Sequence, residues 1–381
     1  QFESWADSHK DLPDVLADLR AQAIGGLKEH GLPHRRVEAW KYTDLRTLMR
    51  DAYAPADDSV ARKVPVDNSH SVFAGLSGVK LVFVNGVLRE DLSDLNALPN
   101  GLTIQPLAEA VANGEDLYLA TKPVDEKDGE NAIGNLVTAF AGADLLVRVA
   151  AGTKLSDPLH LVYANNADEP FAAYRHILFV VETGAAINVL ESHSGEGAYQ
   201  SCGVLGFDLA EDAVVDHVKH QAESSHAQHL ARTGIRLAAR ASCRSFMLNT
   251  GAGLARNEAH IKFSGSNAAA HLSGATLLRD KQHNDTTIVV DHAVPDCDSE
   301  QTFKYVMDEN AKGVFQGKVV VQPGAHGTDG RQSSNALLLS DKADMFAKPE
   351  LEIFNDDVQC AHGATTGELD EDLLFDLRAR G

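Results

Sequence analysis

From Asp144 onward the chain breaks into short β-rich runs with little helix between them, and this feature most restricts what it can fold into. Leu145–Val149, Leu159–Tyr163, Ile177–Val181, Ala186–Leu190, Gly203–Leu209, His229–Leu237, Glu258–Phe263, Ala269–Leu278, Val314–Val321 and Ser334–Leu339 are among them. Apolar and polar residues alternate in many, as in Ala259-His260-Ile261-Lys262-Phe263, the pattern of half-buried strands. A dozen or more such runs define a mainly β chain: a sandwich, a barrel or a solenoid. Two features select the solenoid. Asn-Gly hairpin turns are missing from this region, so strands adjacent in sequence do not pair antiparallel. Small residues recur at the breaks, as in Gly184-Ala185-Ala186 and Asn267-Ala268-Ala269-Ala270, where stacked coils need them. No strict sequence period accompanies the pattern.

The first 140 or so residues have a different texture. Asp14 to Ile24 is amphipathic and is stopped by Gly31-Leu32-Pro33, so it reads as a helix. Arg36-Val37-Glu38-Ala39-Trp40-Lys41-Tyr42-Thr43-Asp44-Leu45 reads as a surface segment anchored by Trp40 and Tyr42. Residues 51–70 are polar and Pro/Asp/Ser-rich, the composition of a linker. Lys80–Val84, Asn85-Gly86 and Val87-Leu88 form a hairpin signature. Residues 105 to about 142 read as helical. Terminal coils of a solenoid need caps. The helical N-terminal unit and a helix beginning near Asp370 are candidates for that role.

The 34 basic and 55 acidic residues give a net charge of −21, which excludes a nucleic-acid binder and docking on anionic lipid. No apolar run has the length of a membrane span, and the first residues lack the pattern of a secretory signal. Cys202, Cys243, Cys297 and Cys360 are scattered without a CxxC, which fits a reducing cytosol better than a disulfide framework.

Most chemical motifs are absent: no GxSxG, HExxH, Walker A or dinucleotide fingerprint occurs. His217, His220, His226 and His229 suggest a metal by their spacing. Three residues apart on a strand, however, His217 and His220 face opposite sides, so the cluster reads as a solvated or interfacial face. Cys297, Ser299 and Gln301 share one strand face, with Cys297 a small buried hydrophobe. Gly324 to Gly330 is a Gly-rich turn without the lysine of a phosphate loop. Cys360 and His362 remain. Glu350 to Cys360 reads as strand, broken at Asn355-Asp356-Asp357, so residues two apart point to the same side. Leu373, Leu374 and Leu377 then recur at helical spacing, with Thr365 and Glu368 placed as a capping box. A thiol and an imidazole suit a transition metal. Two ligands are too few for a closed zinc or iron–sulfur site, so a partner chain would have to supply the rest. A structural role is the commoner fate of such a pair.

Val314-Phe315-Gln316-Gly317-Lys318-Val319, Gly324 to Gln332, Asn335-Ala336-Leu337-Leu338-Leu339-Ser340, Lys348-Pro349-Glu350-Leu351-Glu352-Ile353 and Asp356 to Thr365 strongly resemble the SufB/SufD family of iron–sulfur cluster assembly proteins. Asp291 to Gln301 fits as well, and Arg36 to Leu45 resembles the segment typical of the SufD branch. The resemblance implies a right-handed parallel β-helix between a helical N-terminal region and a C-terminal helical segment. It implies a non-enzymatic cytoplasmic scaffold that pairs with a SufB-like protein through the β-helix and with a SufC-like ATPase through the C-terminal helical domain. His362, with Cys360 beside it, would serve a transient iron–sulfur cluster or iron at the partner interface, with no cofactor tightly bound to the isolated chain. A homodimer is expected in isolation. The corresponding division is 1–143 N-terminal region, 144–367 β-helix and 368–381 the start of a C-terminal helical domain that reads as cut short. Two other readings are a secreted-type β-helix polysaccharide lyase or hydrolase and a purely structural interaction protein. The first would want a signal peptide and an aromatic-lined groove, against an aromatic content of only 6%.

Overall fold

The computed structural model describes residues 13–56, 61, 64, 71–114, 131–141, 143–166, 169–368 and 371–380. Residues 1–7, most of the linker expected at 51–70, the middle of the helical reading at 105–142 and the helix start at Asp370 lie outside them.

The described chain opens with α1 (Asp14–His30), a 3-10 turn at Glu38–Trp40 and α2 (Leu45–Leu48). Asp44 caps α2 by accepting from the Thr47 amide, the usual task of an N-cap carboxylate. Then come β1 (Val79–Val84), β2 (Val87–Leu88), β3 (Leu102–Pro106), α3 (Leu107–Ala112) and α4 (Ala132–Phe140). Asn85 and Gly86 both take positive φ, 51° and 85°, between antiparallel β1 and β2. The Asn-Gly hairpin signature is therefore realised where it occurs.

Strands then follow without interruption: β4 (Ala143–Val149), β5 (Leu159–Asn166), β6 (Phe171–Val181), β7 (Ala186–Glu196), β8 (Tyr199–Leu209), β9 (Val214–Glu223), β10 (Gln228–Leu237) and β11 (Ser242–Asn249). They continue as β12 (Leu254–Phe263), β13 (Ala269–Leu278), β14 (His283–His292), β15 (Asp298–Met307), β16 (Lys312–Val321), β17 (Thr328–Leu338), β18 (Asp344–Ile353) and β19 (Val358–Glu368). A short helix, α5 (Glu371–Ala379), follows. Even-numbered strands stack parallel in one wall, β4 to β18, and odd-numbered strands in the other, β5 to β19. This is a β-solenoid of about eight turns. β1 joins the odd wall parallel to β5, so a strand from before the β-rich region starts the stack.

One corner repeats in every turn but the last. Gly152, Gly184, Asp212, Arg240, Asn267, Asp296 and Gly327 each take positive φ where the chain passes from an even to an odd strand. The amides of Gly184, Asp212, Arg240, Asp296 and Gly327 donate to carbonyls of the next coil. Small buried residues follow most of them (Ala185, Ala213, Ala241, Ala268, Cys297), because the next coil lies directly against this corner. The same crowding governs Gly265, where an added Cβ would sit 2.1 Å from the Ala239 backbone nitrogen. Gly265→Ala is expected to cost about 1–3 kcal/mol, the usual penalty of overpacking. The urea midpoint measures it, and an unchanged midpoint would show that the coils can part.

No strict sequence period was visible because the coils differ in length. Gln228 lies beside Gln200, 28 residues earlier. Asp344 lies beside Lys312, 32 residues earlier, and Leu254 beside Gln228, 26 residues earlier.

Inside the coil the cross-section divides. One half is apolar, built from Phe179, Phe207, Ile235, Ile261, Ile288 and Val290 against Ile187, Val189 and Val215. The Phe179 and Phe207 rings meet at a tilt of 31° with centroids 5.0 Å apart, continuing the ladder between turns. The other half is polar and is described below. The helical unit does not close an end of the coil as expected. Ile133 and Val137 of α4 cover Cys202, Leu230 and Leu254 on the outer face of the even wall, with Trp40 in the same cluster. Leu107 and Ala110 of α3 cover Leu146 and Leu178. Those outward residues are apolar, so the side wall rather than the end needed burial.

Candidate functional site

Cys360 and His362 lie on β19, the last strand of the odd wall. Register places Cys360 beside Gly330 and His362 beside Gln332. Gly330, Gln332 and Ser334 are the inward residues of β17, so Cys360 and His362 share the inward side of the final coil. β18 and β19 each have a neighbour on one side only among the described residues. Cys360 is half-buried and packs against the core, whereas His362 is exposed. Burial pushes the Cys360 thiol up, partly offset by the Gly330 backbone. Beneath the pair, both side-chain amide atoms of Gln332 and of Gln301 are buried without hydrogen-bond partners. Phe346, Ile353 and Phe354 leave substantial apolar surface exposed on and after β18.

The strand break at Asn355-Asp356-Asp357 falls between β18 and β19 as the sequence predicts. The capping box does not form. Thr365 and Glu368 are both within β19, and Thr365 accepts from Asn335 at 2.7 Å across the wall. Cys297, Ser299 and Gln301 do share an inward face, and all three are buried.

The histidine cluster needs correction. His217 and His220 face opposite sides, yet His217 and His229 are buried inside the solenoid rather than on a solvated face. Only His226 is exposed. They belong to a polar half-lumen that also holds Arg175, Glu191, His193, Lys219, Gln221, Glu223 and Asn257, all buried. Glu191 accepts from His193 Nε2 at 3.1 Å and from His217 Nε2 at 2.7 Å. Burial alone would raise the Glu191 carboxyl, but these two bonds outweigh it and hold it well below the ordinary range. Burial pushes His193 down to about 3 against the pull of Glu191. Burial also lowers Lys219, whose ammonium donates to Asn257 at 2.7 Å and contacts His229 Nε2 at 2.9 Å. The signal for this row was present in the alternation His217-x-Lys219-x-Gln221-x-Glu223. Its direction depends on which face is inward, which a strand cannot reveal by itself.

A second polar cluster lies outside the wall, under the N-terminal segment. Trp40 is fully buried, and the Arg256 guanidinium lies 3.8 Å from its ring centroid. Arg256 also pairs with Glu258 at 2.8 Å, with Asp285, and with the Ala39 carbonyl at 2.9 Å. The Thr43 hydroxyl bridges to Asp285 and His283. Tyr42 stacks on Phe346 at 5.2 Å. The segment is thus anchored by Trp40 and Tyr42 as expected, with the Trp40 ring fully buried.

A parallel solenoid side-covered by an N-terminal helical unit, with a Cys-x-His strand at its open end, defines a class. The chain belongs to the SufBD family: the family of the SUF system FeS cluster assembly, SufBD core domain, matches residues 162–381. The SufBD protein N-terminal region matches residues 3–161. Among individual relatives, the chain is 32% identical to an iron–sulfur cluster assembly SufBD family protein of Synechocystis, covering 96% of this chain and 83% of that protein. It is 28% identical to the iron–sulfur cluster assembly protein SufD of Escherichia coli, over 94% of this chain and 82% of that one. Protein ABCI7, chloroplastic, of Arabidopsis thaliana is 27% identical over the whole of this chain and 81% of its own length. Membership decides against the polysaccharide-lyase reading. No helix among the described residues is long and apolar enough to cross a membrane.

Proposed function

We propose that this chain is a SufD-like, non-enzymatic scaffold subunit that helps to assemble nascent iron–sulfur clusters in the cytoplasm. Its partners are a SufB-like protein at the open end of the solenoid and a SufC-like ATPase at a C-terminal helical domain that begins with α5. Alone, it forms a homodimer through the same end. The coil is right-handed, the hand that parallel crossovers take almost without exception. The cluster is cargo, held transiently between subunits, with His362 as this chain's ligand and Cys360 as the second.

The observation that carries this reading is the end of the stack. Among the described residues the outer edges of β18 and β19 have no neighbouring strand, Phe346, Ile353 and Phe354 offer apolar surface, and the Cys360 and His362 side chains share that end. Edges and apolar surface of this kind seek a partner. A thiol acts as a ligand only as thiolate, so the raised Cys360 favours the exposed His362 as the readier donor.

His362→Ala tests it. The isolated chain is expected to keep its stability within about 0.5 kcal/mol, as exposed positions do. Iron and sulfide in the complex co-expressed with SufB-like and SufC-like partners are expected to fall on the order of tenfold or more, since even outer-shell losses cost a metal site that much. Earlier melting with unchanged cluster content per folded complex would make His362 structural and end the proposal.

A further inference from the structure

A second group of ligand-type atoms lies deep in the lumen, far along the coil from β19. His193, Glu223 and His229 have ligand atoms all within 4.8 Å of one another, and all three residues are buried. His193 Nδ1 has no hydrogen-bond partner although the residue is only 3% exposed. Glu223 Oε1 makes no hydrogen bond of ordinary geometry either, with the Tyr199 hydroxyl alongside. His229 Nδ1 lies 2.6 Å from Glu223 Oε2. Buried polar atoms without partners are uncommon and call for an explanation.

The surroundings set the donors as a metal site needs them. His193 Nε2 faces Glu191 at 3.1 Å, so the proton sits there and Nδ1 presents its lone pair. A carboxylate behind a histidine is the common outer-shell arrangement of metal ligands. Gln221 donates to Glu223 Oε2 at 3.0 Å and fixes that carboxylate. Two imidazoles and one carboxylate suit a borderline divalent ion such as Fe²⁺, Co²⁺ or Zn²⁺, not Mg²⁺ or Ca²⁺. A cavity of about 20 Å³, lined by Glu191, His193 and Lys219 among others, adjoins the group on the Glu191 side.

We infer that His193, Glu223 and His229 form a buried two-histidine, one-carboxylate site for a divalent transition-metal ion, separate from the Cys360–His362 end. Ligands about 2.1 Å from one ion lie about 3.0–3.4 Å apart at octahedral or tetrahedral angles, so a pair at the 4.8 Å limit of this group closes by about 1.4 Å or more on loading. Loading exchanges one proton. His229 Nδ1 gives up its proton to solvent and turns its lone pair to the metal, Lys219 passes one of its own protons to Nε2, and one proton leaves the site in all. Because the ligands are shut inside the coil, the ion enters as the chain folds. The inference does not rest on the scaffold reading.

The test is expression in cobalt-supplemented medium, followed by gel filtration, elemental analysis and absorption spectroscopy of the purified chain. About one retained Co²⁺ per chain is expected, with weak ligand-field bands and no sulfur-to-cobalt charge transfer. Glu223→Gln and His193→Asn should each lower retention on the order of tenfold or more, and His362→Ala and Cys360→Ser should leave it unchanged. No retained cobalt, cobalt that survives Glu223→Gln, or cobalt lost with His362→Ala would each overturn the site and leave an ion-pair network. Should the lumen variants fail to fold, anomalous scattering from wild-type crystals decides. A cobalt peak between His193 Nδ1, Glu223 and His229 supports the site, and a peak elsewhere or none overturns it. Loss of cluster content in His362→Ala with cobalt retained would separate this site from the one at β19.

Discussion

Lowering the pH from 7 to 4 is expected to unfold the isolated chain. Burial, unaided by any partner, pushes His176 down to about 4. It does the same to His292, which Asp298 only partly offsets, and to His160 with help from Lys80. In the unfolded chain these imidazoles take up protons near 6.5. Their folded pKa values are lower, so below pH 6.5 the unfolded state binds more protons and stability falls as pH falls. The loss begins near 6.5 and is complete near 4. Fully expressed, each such histidine contributes about 3 kcal/mol of acid destabilisation. Asp144 works the other way in part of this window, because burial raises it to about 7, only partly offset by the nearby Arg20. Glu191, held low by His193 and His217, adds a further loss below the unfolded carboxylate range. Three histidines outweigh one aspartate, and the sum reaches the margin of about 5–15 kcal/mol that keeps most domains folded. Near-ultraviolet circular dichroism against pH should show a cooperative midpoint between 6.5 and 4. His176→Leu should move that midpoint to lower pH. A melting temperature that stays constant from pH 7 to 4.5 would refute the account.

Arg256→Ala is expected to be the most damaging single substitution outside the lumen. Asp285 and Arg256 are both fully buried, and Glu258 is nearly so. Removing the guanidinium strands the Asp285 carboxylate, leaves Glu258 with Arg232 alone, and uncovers the Trp40 ring, which it caps at 3.8 Å. Breaking a buried pair from one side costs about 3–5 kcal/mol. The N-terminal segment should loosen too, since Arg256 holds the Ala39 carbonyl and Asp285 holds Thr43. Urea denaturation gives the first effect, and a red shift of tryptophan emission gives the second. If stranded charge is the cause, adding Asp285→Asn to the variant should recover part of the stability. Recovery of nothing, or a loss under about 1 kcal/mol, would assign the cluster a minor role.

The two predictions concern charges that the sequence did not flag, and the reason is the same for both. Alternation along β9 and β12 was plain, so strands were legible. Which alternate residues face inward was not, because a strand has two equivalent faces until something covers one of them. In β9 the inward set is His217, Lys219, Gln221 and Glu223. In β12 the outward Arg256 is buried nonetheless, because the N-terminal segment lies over it.

At the candidate site the reach of the sequence was greater. Cys360 and His362 were placed on one side of one strand by spacing alone, and the register with Gly330 and Gln332 gives them that shared side. The lumen group of His193, Glu223 and His229 comes from strands β7, β9 and β10, separated by up to 36 positions in the chain. No local motif can mark such a set. The solenoid form was legible because its causes are local: alternation makes strands, missing hairpin turns forbid antiparallel neighbours, and small residues mark the corners. Left to the tertiary structure were the recruitment of β1 into the stack, the use of helices as a side cover, and the split of the lumen into apolar and polar halves. Each of these depends on contacts between residues far apart in sequence, and their energies are decided by what finally excludes water from each face.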